Sequence, residues 1–158
     1  MNSFKSSLRF RIGVATPIII RNAPDMGSVT SVLSSLAVDM GLCLKCIDAS
    51  EQKRSNIIGS AKTVGDYFTY EPPVWAKELV AARNGILFFG NMSAAEPDVR
   101  RAIIRVMFER RIGELKFPPG IAVVVTEGEL DSLGDYRVPA FLAVRTCRFN
   151  YPVSVAVG

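Results

Sequence analysis

The chain has 158 residues, 49% of them hydrophobic, and a formal charge of +4 at pH 7. A chain of this length can bury one substantial core, so we predict a single domain over residues 1–158. The sequence contains no His, which excludes Ser-His, Cys-His and His-metal sites, and it has no run of about 20 apolar residues that would span a bilayer.

The first predicted strand covers residues 17–21, and it leads into a loop that has the outline of a phosphate-binding loop. Residues 22–29 read Asn-Ala-Pro-Asp-Met-Gly-Ser-Val. The pattern G-x-x-x-x-G-K-[ST] uses glycines for close backbone approach to phosphates, Lys for the β- and γ-phosphates and a hydroxyl for Mg²⁺. Only Gly27 matches it, because Asn22, Ser28 and Val29 replace the other three defined positions.

A helix is predicted to follow this loop and to lead into a second strand. Apolar residues recur at helical spacing from Val29 to Met40, and Gly41 is a typical helix end. The next strand, residues 42–48, contains the C-x-x-C pair Cys43 and Cys46. Residues three apart on a strand point to opposite faces, so we favour core packing over a redox pair. Three cysteines without a disulfide framework suit a reducing compartment, and we predict a cytoplasmic protein.

The remaining segments alternate between helix and strand. Residues 50–70 show no clear period and predict a loop-rich connection, whereas Pro73 and Pro97 suit the first turns of two further helices. The strand between these helices, residues 85–89, is continuously apolar, as is the strand that begins at Ile121. The remaining predicted elements are a short helix from Pro139 and a strand over residues 147–151. This alternation predicts a three-layer α/β/α sandwich around a mainly parallel, five-stranded sheet.

Two charged clusters allow more than one interpretation. Five arginines lie on the helix from Pro97 to Gly113, and we interpret them as a solvated face, with nucleic-acid binding held in reserve because no recognised binding motif accompanies them. They are Arg100, Arg101, Arg105, Arg110 and Arg111. Four acids follow the strand from Ile121, and they lack the residue order of a Ca²⁺ loop, so we predict a solvated loop without a metal site. They are Glu127, Glu129, Asp131 and Asp135.

Several segments, in this order, resemble the MoxR branch of the AAA+ ATPases. They are residues 22–33, 72–76, 85–89, 97–113, 116–120 and 139–145. The resemblance implies a P-loop NTPase fold, with residues 85–89 as the Walker B strand. It also implies that Arg145 corresponds to the arginine finger, which acts on the nucleotide of an adjacent subunit. An ordinary surface or ion-paired arginine is the alternative interpretation of Arg145.

The sequence departs from this family at the residues that perform its chemistry. Gly90 and Asn91 stand where the family has the Asp-Glu pair that holds Mg²⁺ and orients water, and Glu127 lies in the sensor region where the family usually has Asn. Asp25 adds a carboxylate near the predicted phosphate position, and two like charges about 4 Å apart repel by roughly 4 kcal/mol at an effective dielectric of about 20. The residues up to Gly158 leave no segment for the family's helical lid, so we expect a domain without one.

We therefore expect a catalytically degenerate AAA+-like domain that acts as a scaffolding or regulatory subunit. Its expected partners are proteins, either copies of itself or an intact AAA+ homologue. Nucleic acid is not the expected partner, and no metal or nucleotide cofactor is expected. The alternative is a divergent AAA+ ATPase that still binds or slowly hydrolyses nucleotide. In that case Ser28, Thr30 and Asn91 would replace the usual groups, with Pro24 and Gly27 shaping the loop.

Overall fold

Continuous apolar runs form a five-stranded parallel sheet at the centre of the molecule. The structure is a computed structural model that describes residues 2–130, 136–140 and 146–152. The strands of the sheet lie in the order β2-β5-β8-β1-β9, and every pair is parallel. They are β1 (Ile18–Arg21), β2 (Cys43–Asp48), β5 (Asn84–Gly90), β8 (Gly120–Glu127) and β9 (Cys147–Asn150). The predicted sheet is confirmed.

Helices cover both faces of this sheet, because alternate side chains of its central strands are buried on opposite sides. Two helices pack on the first face and three on the second. The first two are α1 (Asn2–Gly13) and α2 (Met26–Met40); the other three are α3 (Arg54–Ile58), α4 (Val74–Ala82) and α5 (Pro97–Glu109). Phe88 belongs to the first core and Phe89 to the second, and both are fully buried. The predicted three-layer sandwich is therefore confirmed.

The ends of the two best-predicted helices follow from local chemistry. Helix α2 ends at Gly41, whose φ of 66° lies in the left-handed region and whose N–H bonds back to the carbonyls of Ala37 and Val38. Helix α5 begins with Pro97 at its first turn and ends at Glu109, with Arg110 as its C-cap, earlier than the predicted end at Gly113. The residues that follow it form a short hairpin of β6 (Arg111–Ile112) and β7 (Leu115–Lys116).

Two segments differ from the sequence-based expectation. Residues 50–70 were predicted to be loop-rich, but they contain α3 and most of an antiparallel hairpin of β3 (Ser60–Val64) and β4 (Tyr67–Glu71). All five β3 residues are exposed, so this strand carries no apolar alternation that a sequence pattern would reveal. The N-terminal helix α1 was not predicted, because only Leu8 and Ile12 of its residues are buried.

No helix within the described ranges is long and apolar enough to cross a membrane. The predicted helix from Pro139 lies largely outside the described residues, and Asp131 and Asp135 lie outside them as well.

Candidate functional site

The candidate site lies at the carboxyl edge of the sheet, where the strands run into the loops that follow them. Ligands of open parallel α/β sheets bind at this edge. Here β1 ends at Arg21 and leads into α2 through residues 22–25, β5 ends at Gly90 and β8 ends at Glu127. The structure therefore brings together the three sequence regions that the resemblance aligns with the family's nucleotide site.

The loop between β1 and α2 is fixed to the end of β8. The Asn22 N–H donates to the Glu127 carbonyl at 3.2 Å, and the Leu130 N–H donates to the Ala23 carbonyl at 3.0 Å. Asn22 has a φ of 57°, in the left-handed region where a glycine would be usual. Asn tolerates this conformation better than most residues, so it can replace the first glycine of the pattern without changing the path of the chain.

Asp25 occupies the N-terminus of α2 with its own side chain. The residue is extended, with φ −162° and ψ 171°, and its carboxylate accepts a hydrogen bond from the Ser28 N–H at 2.7 Å. Free N–H groups at a helix start are what a phosphate would bind. The Asp25 carboxylate therefore takes one of these donors and brings a negative charge to the same place.

Met26 packs over the end of β5, where the Walker B acids of the resembling family would stand. A Cβ added to Gly90 would lie 2.5 Å from Cγ and 2.7 Å from Sδ of Met26. The Asn91 side-chain amide approaches the same sulfur at 3.7 Å, and Asn91 is itself left-handed, with φ 54°. An acidic residue at position 90 is incompatible with this position of Met26.

The other predicted loop residues have structural surroundings. Val29, at the position of the Mg²⁺-binding hydroxyl, is 1% exposed and belongs to the core between α1, α2 and the sheet. Pro24 is half-buried, and Gly27 begins the first turn of α2 beside the Asp25 carboxylate. Thr30 does not face the loop, because its hydroxyl is a hydrogen-bond partner of the Cys46 thiol on β2.

The prediction that the cysteine pair packs in the core is wrong for Cys46. Strand β2 lies at an edge of the sheet, so Cys46 is exposed and Cys43 is half-buried. Partial burial raises the pKa of the Cys46 thiol, although its hydrogen bond with Thr30 acts in the opposite direction. A raised pKa disfavours the thiolate, so Cys46 is not an activated nucleophile.

The predicted solvated acidic loop is also wrong for its first two acids. Glu127 is 1% exposed, and its Oε1 lies 3.3 Å from Arg21 Nε and 3.4 Å from Arg148 Nε. Its Oε2 accepts a hydrogen bond from the Val138 N–H at 2.7 Å. Burial is tolerated because the charge is paired and hydrogen-bonded by partners that are distant in sequence. This carboxylate joins β8 to β1, to the edge strand β9 and to residues 136–139.

Glu129 is the second buried acid, at 3% exposed, and it lies against the residues that follow β5. Its Oε1 accepts hydrogen bonds from the Met92 N–H at 3.2 Å and from the Thr126 hydroxyl, whereas its Oε2 is buried without a hydrogen-bond partner. Burial raises the pKa of the Glu129 carboxyl, the negative charge of Asp48 adds to this, and the hydrogen bonds oppose it.

Sequence reasoning missed the contact of Met26 with Gly90 and the network around Glu127. Neither has a local sequence signal. Met26 and Gly90 are more than about 60 positions apart, and Arg21 and Glu127 more than about 100, which no short motif covers. The candidate arginine finger, Arg145, lies outside the described residues.

Comparison with known proteins gives similarity at the level of the fold. No protein-family model matches the chain, and neither does any curated protein. Solved structures match with low identity, and three of them illustrate the range. They are a protein of Cytophaga hutchinsonii described as an ATPase (16% identity, TM-score 0.65, 95% of this chain and 46% of that one), a proline-to-glycine variant of Thermotoga maritima RuvB (12%, 0.57, 96% and 43%), and NtrX from Brucella abortus (11%, 0.60, 96% and 36%).

These structural neighbours are AAA+ ATPases. The chain therefore has the α/β fold of the P-loop NTPases, with helices flanking a five-stranded parallel sheet. It spans less than half the length of the three proteins that it matches.

The Glu127 network predicts a clear loss of stability in Glu127→Gln. Breaking a fully buried ion pair costs roughly 3–5 kcal/mol, and we expect about 2 kcal/mol here because both arginines are one-third exposed and can recruit water. The measurement is the free energy of unfolding in urea. The control Glu109→Gln breaks the exposed pair with Arg105 and should cost no more than about 0.5 kcal/mol. Equal losses in the two variants would contradict the role of Glu127.

The raised pKa of Glu129 predicts a pH-dependent stability difference. Between 4.5, the ordinary value for its carboxyl, and the raised value in the folded state, the folded protein binds more protons at this group than the unfolded chain does. The contribution of Glu129 to the free energy of unfolding is therefore fully present below that window and decreases as the pH rises through it. The unfolding free energy of the wild type minus that of Glu129→Gln should fall as the pH increases from 4.5 toward neutrality. A difference that stays flat would contradict burial of an uncompensated carboxyl.

Proposed function

We propose that this chain is a catalytically degenerate AAA+-like domain that serves as a structural, scaffolding or regulatory subunit in a protein assembly. The observation that carries this proposal is that two side chains of the chain itself, Asp25 and Met26, occupy the candidate site. Asp25 caps α2 where a phosphate would bind, and Met26 covers Gly90 where the metal-holding acid would stand. The residues present at this edge do not fit Mg-ATP.

Electrostatics supports the same proposal. Arg21 is the residue before the loop and is the nearest cation to it along the chain, yet it is paired with Glu127. Ser28 supplies no positive charge, and the Asp25 carboxylate repels the β- and γ-phosphates. Phosphoryl transfer depends on positioning and on neutralisation of charge by a metal. A site with a net negative loop and without acids after β5 provides neither.

A degenerate subunit needs partners, and we propose that they are proteins. AAA+ homologues are typically oligomeric. The partners would be copies of this chain or an intact homologue, and Arg145 would then be placed to act on the nucleotide of that homologue. We propose a cytoplasmic location for this assembly, in keeping with unpaired cysteines at positions 43, 46 and 147.

One observation favours the alternative of a divergent ATPase. The Glu129 carboxylate is bound to the backbone N–H of Met92, directly after Asn91, so an acid does lie near the end of β5. In that alternative Glu129 would replace the missing Walker B acid, and phosphate release would be abolished in Glu129→Gln. The side chain is 3% exposed, which leaves it little access to a metal or to water.

The proposal predicts that nucleotide binding is absent in the wild type and can be partly restored. We expect no change in thermal midpoint with millimolar Mg-ATP. The double variant Asp25→Ser, Ser28→Lys removes the competing carboxylate and adds the missing cation, and it should gain a midpoint shift of several degrees. A ligand at about 100 times its Kd stabilises a protein by about 2.7 kcal/mol.

The matched control is Asp39→Ser combined with Ser28→Lys. Asp39 is an exposed acid near the other end of α2, so this variant has the same net charge but keeps the Asp25 cap. It should show little or no shift. A shift of several degrees in the wild type would contradict the proposal and favour the divergent ATPase.

A further inference from the structure

An apolar groove runs along the outer side of α5, away from the degenerate loop. It encloses about 570 Å³ between this helix and residues 136–139. On the helix side it is lined by residues 97 to 109 at helical spacing, and its floor is formed by Ile104 and Phe108. At 1.5 Å per residue this stretch of helix is about 20 Å long, which equals the length of a helical peptide of about 13 residues.

Arginines border this groove. Arg100, Arg101 and Arg105 line it together with a single acid, Glu109. Glu109 is paired with Arg105 at 3.0 Å, and the Arg100 guanidinium lies over the Tyr136 ring, 5.0 Å from its centroid. Arg101 is exposed and has no ion-pair partner among the described residues. The border of the groove is therefore net positive above an apolar floor.

The opposite wall of the groove is held in place by hydrogen bonds. Tyr136 donates its N–H to the Ser93 hydroxyl at 3.2 Å and accepts at its carbonyl from the Gly128 N–H at 3.0 Å. Val138 donates its N–H to buried Glu127. Burial raises the pKa of the Tyr136 phenol to about 12, so the ring stays neutral and adds no negative charge to the groove. A wall fixed in this way lowers the conformational entropy that the protein would lose when a ligand binds.

We propose that this groove is a docking site for an acidic amphipathic segment of a partner protein, with apolar side chains on Ile104 and Phe108 and carboxylates beside Arg101 and Arg105. An amphipathic helix in an apolar groove is a common mode of peptide recognition, and complementary charges fix its orientation. Glu127 and Glu129 are buried, so within the described ranges the most acidic stretch of a second copy cannot supply this face. The inference does not depend on whether the loop binds nucleotide.

The test begins with a display library of helical peptides of about 14 residues, randomised along one face and selected on the full-length protein. We expect the selected peptides to combine Asp or Glu with Leu, Phe or other large apolar residues at helical spacing. Fluorescence anisotropy of one labelled, selected peptide should give a Kd in the micromolar range, about 1–100 μM. Replacing its apolar anchors by Ser, or its acids by Lys, should each weaken binding at least about tenfold.

Protein variants decide whether the groove is the site. The charge reversal Arg101→Glu, Arg105→Glu should weaken binding at least about tenfold, because both charges face the ligand. The neighbouring cleft shares Arg101, Arg105 and Glu109 with the groove, whereas Arg54 and Arg111 line that cleft alone. The matched control Arg54→Glu, Arg111→Glu changes the net charge equally and should change the Kd less than about twofold, whereas a peptide bound in the cleft would be weakened by both double variants. Thermal midpoints of both variants report that the fold is intact.

Four results would overturn the proposal. The first is that no acidic apolar peptide is selected, and the second is that the two double variants weaken peptide binding equally. The third is that the peptide with Ser anchors binds unchanged. The fourth is that a single-stranded oligonucleotide binds more tightly than the peptide and loses this binding in the groove variant, Arg101→Glu, Arg105→Glu. Sedimentation of the wild type and the groove variant adds a fifth. Self-association that disappears in the groove variant would assign the groove to a second copy of the chain.

Discussion

The buried carboxylate of Glu127 is the interaction on which the carboxyl edge of the sheet depends. It lies at the end of β8 and binds Arg21 of β1, Arg148 of β9 and the backbone of Val138. One charge thus fixes the edge strand, the start of the loop and the segment that walls the α5 groove. The same contact withdraws Arg21 from any anion at the loop. The contact that stabilises this edge is therefore also the contact that pairs Arg21.

The loop before α2 and the residues after β5 are in mutual contact. Asn22 adopts a left-handed backbone, so the loop keeps its path without the first glycine. Gly90 leaves the room that Met26 occupies, and the Asp25 carboxylate binds the Ser28 N–H that would otherwise be free for a phosphate. These contacts join the loop, the start of α2 and the end of β5 into one packed unit.

The sequence predicted the sheet and the larger helices because their signals are local. Strands buried on both faces, such as residues 85–89, are continuous apolar runs, and α2 and α5 carry a clear apolar stripe. The hairpin at Ser60–Val64 was missed because its side chains all face solvent. The order of the strands was not predicted, because periodicity along the chain does not show which strands are neighbours.

The candidate site was predicted less well than the fold. Glu127 and Glu129 were assigned to a solvated loop because acids are usually exposed, and their burial is explained only by partners far along the chain. The contact of Met26 with Gly90 likewise has no pattern in either segment. Cys46 was assigned to the core because residues three apart on a strand point to opposite faces and so do not form a redox pair, but its strand forms an edge of the sheet. Tertiary placement, which a single sequence does not encode locally, decides each of these cases.

The central claim is the proposal that Asp25 and Met26 fill this edge of the sheet so that Mg-ATP does not bind, and the methyl NMR signal of Met26 tests it most directly. The chain has five methionines, so a Met26→Leu variant would assign the signal in protein labelled at the methionine methyl groups. The account predicts that this signal stays in place while Mg-ATP is raised to millimolar concentration. A saturable shift of the Met26 methyl, with the other methionine signals unchanged, would show that nucleotide displaces it and would contradict the account.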